Sequence, residues 1–135
     1  MQTYITREQD YALRITSALA ALNKNDQLPV SELSKRLYIS KNFAARIVHK
    51  LTKNGILATT QGKYGGVSLK KRADKLSVYE VLSTIGFKTK FNQCLDDRFH
   101  CVFSNKCLFH SFFDEEEKKL HDKLKEKMIS EFVVE

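Results

Sequence analysis

Between Pro29 and Gly55 the apolar residues fall into helical step twice, with a three-residue break between the two runs, and few folds accommodate that arrangement. The first run follows Pro29 and carries Val30, Leu33 and Leu37. Leu37-Tyr38-Ile39 forms the break, and Ser40 then has the chemistry of an N-cap for a helix reaching about Asn54. Gly55 suits the left-handed position that closes such a helix. On that helix Ala44, Ile47, Val48 and Leu51 share one side, while Asn42, Arg46, His49, Lys50 and Lys53 share the other. One face suits a core and the other suits a polyanion.

The flanks extend the pattern. Thr6-Arg7-Glu8-Gln9 has the form of a capping box, and Tyr11, Ile15, Ala18, Leu19 and Leu22 continue a helix predicted over 7–23, ended by Asn23-Lys24-Asn25-Asp26. After Gly55, residues 56–60 and 67–70 read as short strands around Gly62-Lys63-Tyr64-Gly65-Gly66, which makes a hairpin. Three helices followed by a glycine-tipped hairpin is the order of a winged helix-turn-helix. The expected fold is therefore mainly α with a small β-hairpin wing, and residues 1–72 are read as a DNA-binding domain.

Residues 73–135 are read as a sensor loop and a dimerisation helix. A helix is predicted over 77–85, with Val78, Val81, Leu82 and Ile85 apolar and Gly86 as its stop. Residues 87–106 keep no period. A long helix is predicted over about 107–128, where Phe109, Phe113, Leu120, Leu124 and Met128 form a stripe interrupted by Asp114-Glu115-Glu116-Glu117. Such a stripe needs a covering surface. A second copy in a two-fold dimer is the simplest one, and a return onto the first helix is the alternative.

Charge separates the same two regions. Residues 1–72 hold 13 Lys/Arg against 4 Asp/Glu, a balance of +9, and residues 73–135 hold 10 against 12, a balance of −2. A concentrated positive excess favours a partner whose phosphates release counterions on contact, here double-stranded DNA. In a helix-turn-helix the second helix enters the major groove with its first residues at the base edges, which assigns Ser40, Lys41, Asn42, Phe43 and Arg46 to DNA. Asn pairs with adenine and Arg with guanine through two bonds each. Lys50 and Lys53 lie farther along and are assigned to phosphate, while Gln61, Lys63 and Tyr64 at the wing tip are assigned to the minor groove and its backbone. Tyr38 is an odd occupant of the turn, where left-handed backbone strains a bulky residue by about 1 kcal/mol. The chain has no run of about 18 apolar residues and no apolar segment behind its charged start, so a cytoplasmic protein is expected.

The three cysteines, Cys94, Cys101 and Cys107, all fall within 14 residues as Cys-x6-Cys-x5-Cys, and His110 follows as Cys-x2-His. Three thiolates and an imidazole fill four coordination positions and suit zinc or an iron–sulfur cluster. Structural zinc favours tighter knuckles, so the wide spacing favours the cluster.

With these motifs assembled, the chain resembles the iron–sulfur-dependent bacterial repressors and activators typified by IscR, NsrR and RirA, from about Tyr4 to Met128. The resemblance rests on Asp10-Tyr11-Ala12-Leu13-Arg14, on Ser40 to Gly55 with its Leu51-x3-Gly55 ending, on Gly62-x2-Gly65-Gly66, and on the three cysteines. It implies a homodimer on a pseudo-palindromic operator, with a cluster whose loss or change alters DNA affinity. Cys107-Leu108-Phe109-His110 is most similar to the IscR-type site, where three cysteines and a histidine hold a 2Fe-2S cluster. In NsrR-type members a carboxylate from the other subunit completes a 4Fe-4S cluster; the matching position is Asp10, with Glu8 a weaker candidate. Where the family commonly places Arg before the first wing glycine, this chain has Gln61, and Lys63 is the nearby cation.

Two other readings stand beside the cluster-controlled regulator. One keeps DNA binding and makes the thiols a direct redox switch. The other is an iron–sulfur carrier or redox enzyme, and it ranks below because the chain shows no glycine fingerprint, paired catalytic carboxylates or nucleophile–base motif. No enzymatic activity is expected.

Overall fold

A computed structural model describes residues 3–96, 98, 100–103 and 106–133. Within them the fold is the winged helix expected: five α-helices and one two-stranded hairpin, with short 3-10 turns between. The helices are α1 (Arg7–Ala20), α2 (Val30–Leu37), α3 (Lys41–Lys53), α4 (Val78–Thr84) and α5 (Leu108–Glu126). The wing pairs β1 (Leu57–Thr60) with β2 (Gly66–Leu69) in antiparallel register, Leu57 opposite Leu69 and Thr60 opposite Gly66.

Local chemistry explains most boundaries. Thr6 closes a reciprocal capping box with Gln9 at the start of α1. α1 ends at Ala20, short of the predicted 23, because the backbone bonds tighten there to three-residue spacing: Ala21 to Ala18 and Leu22 to Leu19. Ser40 caps α3 by accepting from the Phe43 amide at 3.1 Å. α2 and α3 each end on a left-handed residue whose successor's amide reaches back, Ile39 to Ser34 and Ile56 to Leu51. At α3 that residue is Gly55, with φ +80°; at α2 it is Tyr38, with φ +57°. Burial of Ile39 holds the second turn in place while the Tyr38 ring stays 91% exposed.

Leu28 adds a bridge to the wing, exchanging two backbone bonds with Val67 at 3.0 and 2.7 Å. A side chain at position 66 would meet the Leu28 carbonyl at 2.8 Å, so this approach requires Gly66. The wing is thereby tied to the loop that enters α2.

One apolar cluster joins Ala12, Ile15 and Leu19 of α1, Leu33 of α2, Ile47, Val48 and Leu51 of α3, the wing's Leu57 and Val67, and also Leu76, Val81, Ile85 and Ile129. Residues on both sides of position 72 thus share a core. α5 leans on α4 and on the 3-10 turn at Gln93–Leu95. It stops at Glu126 rather than 128, and the chain then turns back: the Val78 amide donates to Lys127 and the Ile129 amide to Leu76, both at 2.8 Å. The following turn, Ile129–Phe132, packs on α1, where the Ser17 hydroxyl donates to the Phe132 carbonyl. Met128, counted in the stripe, lies in that bridge and not on the helix.

The remaining stripe on α5 is only partly covered by the described residues. Phe109 is 75% exposed, and Phe113, Leu120 and Leu124 are only partly buried. No helix among the described residues is long and apolar enough to cross a membrane.

Candidate nucleic-acid interface and cysteine loop

The residues assigned to DNA occupy one connected surface. Ser40, Lys41, Asn42, Arg46 and Lys53 are exposed along α3, and Gln61, Lys63 and Tyr64 are exposed at the wing tip. Between helix and wing runs a groove of about 540 Å3, walled by Lys41, Ala45, His49 and Thr52 on one side and by Thr59 to Gly62 on the other. The wing is braced across its base, since the Gln27 amide donates to the Tyr64 carbonyl at 2.7 Å and accepts from the Thr60 hydroxyl at 3.0 Å. Lys63 rests over the Tyr64 ring at 5.7 Å. A braced wing keeps its cation at a set distance from α3.

Three assigned residues also meet α1. Phe43 is partly buried and meets Tyr11 of α1 edge to face, with ring centres 5.8 Å apart. Lys50 donates to Glu8 of α1 at 2.7 Å, and Arg46 stands 4.0 Å from the same carboxylate. The face also gains Arg7, absent from the set read from sequence, which lines a cleft with Ser40, Asn42, Phe43 and Arg46. Its i, i+4 relation to Tyr11 is visible in the sequence, but the approach of Phe43 is made by tertiary packing.

The cysteine loop leads into α5. Cys107 is the N-cap of that helix, and its sulfur accepts from the His110 amide at 3.4 Å. His110 therefore sits one turn in, and its Nδ1 is buried without a hydrogen-bond partner among the described residues. Cys94 lies in the 3-10 turn at Gln93–Leu95, and all three thiols are free and partly buried. Lys90, at the entrance to the loop, pairs with Glu117 of α5 at 3.1 Å, which ties the loop's root to the helix. Asp10 is held by Arg14 at 3.0 Å, and this bond raises the guanidinium's already high pKa.

By donor type the set fits an iron–sulfur cluster: three thiols and an imidazole nitrogen that lacks a partner. By position it is not assembled. Among the described residues no group of three or more His, Cys, Asp or Glu side chains is placed to hold a metal ion, so Cys94, Cys101 and Cys107 of the loop and His110 of α5 do not form an assembled centre.

Comparison with known proteins agrees with this architecture. Residues 5–135 match the Rrf2 family model, described as an iron-dependent transcriptional regulator. NsrR of Bacillus licheniformis is 28% identical over 104 residues, covering 76% of this chain and 73% of that protein. IscR of Pectobacterium atrosepticum is 26% identical over 129 residues, covering 96% and 78%. Among solved structures, CymR of B. subtilis, titled the global cysteine regulator, superposes with a TM-score of 0.74 at 16% identity, covering 99% of this chain and 100% of that one. IscR of T. potens superposes with a TM-score of 0.74 at 14% identity, covering 95% and 84%. With nearly its whole length matched by the family model and its winged helix shared with these proteins, the chain belongs to the Rrf2 family of transcriptional regulators.

Proposed function

We propose that this regulator is a cytoplasmic homodimer that binds a pseudo-palindromic operator, and that an iron–sulfur cluster on Cys94, Cys101, Cys107 and His110 controls its affinity. The observation that carries the sensor assignment is the partnerless, buried Nδ1 of His110 one turn after Cys107 at the start of α5. A buried ring nitrogen without a partner costs free energy, and coordination would satisfy it. Ser40, Lys41, Asn42 and Arg46 read bases in this proposal, and Lys50, Lys53, Gln61, Lys63 and Tyr64 hold the backbone.

Cys94, Cys101, Cys107 and His110 would hold the cluster between the loop and the start of α5, and its presence or absence would supply the two states of the switch. The loop is rooted to α5 through the Lys90–Glu117 pair, so a bound cluster would tie it further to the helix whose partly exposed stripe forms the dimer contact in this proposal. A change there biases the separation of the two α3 helices, and affinity follows through differential binding to the two states. A 2Fe-2S cluster is favoured. Recruitment of Asp10, after release from Arg14, would instead mark a 4Fe-4S type.

The test is the visible spectrum, with iron and sulfide content, of protein purified without oxygen, beside His110→Ala and Asp10→Ala. A brown protein whose spectrum changes only with His110→Ala supports the proposal, and sensitivity at Asp10 alone moves it to the 4Fe-4S form. A colourless, iron-free protein that still binds DNA overturns it in favour of a thiol switch. That second reading draws on the three free, partly buried thiols.

A further inference from the structure

The cleft at the amino end of α3 takes one wall from α1. It encloses about 440 Å3 between Arg7, Ser40, Asn42, Phe43 and Arg46. The Arg7 guanidinium carbon lies 5.6 Å from the Tyr11 ring centre and 5.6 Å from that of Phe43. Arg46 approaches the same Phe43 ring at 5.4 Å. Two guanidiniums from different helices are thus held beside a single aromatic ring, which is itself fixed edge to face on Tyr11. Arginine side chains ordinarily lose rotamer freedom when they are immobilised, and the rings offset part of that cost before any ligand arrives.

Charge balance distinguishes Arg7 from its neighbours. Arg14 is neutralised by Asp10 at 3.0 Å and Arg46 stands 4.0 Å from Glu8, whereas Arg7 makes no ion pair among the described residues. An exposed cation oriented by aromatic contacts and left without a counter-charge is arranged for an external anion.

We infer that Arg7 is a DNA-backbone contact, its guanidinium holding a phosphodiester beside the base-reading Arg46. Phe43 is then a platform that sets the spacing of the two cations and does not read a base. The inference rests on the DNA-binding reading above and enlarges that surface from α3 and the wing to the first turn of α1. It also explains why Phe43, although placed at the reading end of α3, turns its ring toward α1.

The experiment is fluorescence anisotropy of the full chain with a mixed-sequence duplex of about 30 base pairs over a potassium chloride series, for wild type, Arg7→Gln, Arg7→Lys and Phe43→Leu. Each lost phosphate contact makes the slope of log K against log salt shallower by about 0.9, which is roughly a tenfold loss of affinity at 0.1 M salt. Arg7→Gln is expected to show that loss per protomer, Arg7→Lys to keep the slope, and Phe43→Leu to weaken binding with a smaller change in slope. Wild-type slope and affinity in Arg7→Gln overturn the inference while leaving DNA binding intact. A wild-type chain with no salt-dependent binding removes both together.

Discussion

Replacing Ile129 with alanine tests how the chain closes after α5. Ile129 is 1% exposed, its amide donates to Leu76 at 2.8 Å, and its side chain joins the cluster that holds Ala12, Ile15 and Val81. Removing three carbons forfeits about 2.4 kcal/mol at roughly 0.8 kcal/mol per methylene. The cavity left behind raises the cost to about 3 to 4 kcal/mol, because the surrounding helices relax only partly. For a chain of 135 residues, an unfolding entropy of about 2.1 cal/mol/K per residue converts this to a fall in Tm of roughly 12 °C. The assay is thermal unfolding followed by circular dichroism at one fixed protein concentration, since any self-association would make Tm concentration-dependent. Tyr64→Ala, at an 84% exposed ring on the wing, is the control and should shift stability by less than about 0.5 kcal/mol. A fall below about 3 °C for Ile129→Ala would show that the turn after α5 is not locked into the core of the winged helix, and the reasoning would fail.

Three further outcomes follow from individual residues. Tyr38→Asn should raise the urea midpoint by the equivalent of about 0.5 to 1 kcal/mol, since φ +57° strains tyrosine and its 91% exposed ring contributes little packing; a lower midpoint would contradict this. Phe109→Ala combined with Phe113→Ala should shift the chain toward monomer in analytical ultracentrifugation, and an unchanged sedimentation coefficient would remove the α5 stripe from the dimer contact. The Glu131 carboxylate accepts from the Met128 amide, and that bond, helped by Lys127, holds its pKa below the usual 4.5. Its stabilising contribution is therefore full above about pH 4.5 and is lost as pH falls through the lowered value, so the Tm difference between wild type and Glu131→Gln should be present at pH 7 and vanish in acid; a constant difference would refute it.

Features set by neighbours along the chain were legible in the residues alone. The Thr6–Gln9 box, the Ser40 cap, the left-handed turn at Gly55 and the glycine-tipped hairpin each depend on groups within a few positions of one another, so residue type and spacing suffice to place them. The division of α3 into an apolar and a cationic face was legible for the same reason, because helical periodicity sorts residues before any packing occurs. Other properties depended on pairs far apart in sequence. Gln9 was readable only as part of a cap, yet its amide also donates to the Ile85 carbonyl in the core. Phe43 had the position of a base reader, and only its meeting with Tyr11 gave it a second role and brought Arg7 onto the same face. The cysteine loop shows the limit most plainly: spacing names the donors, but whether they converge is a matter of loop conformation, and among the described residues no three of them form a metal-binding group. The return of Ile129 to the first helix was likewise a tertiary event, since its apolar side chain specifies burial without specifying where, and the choice fell to the space left between α1 and α4 once the helices had packed.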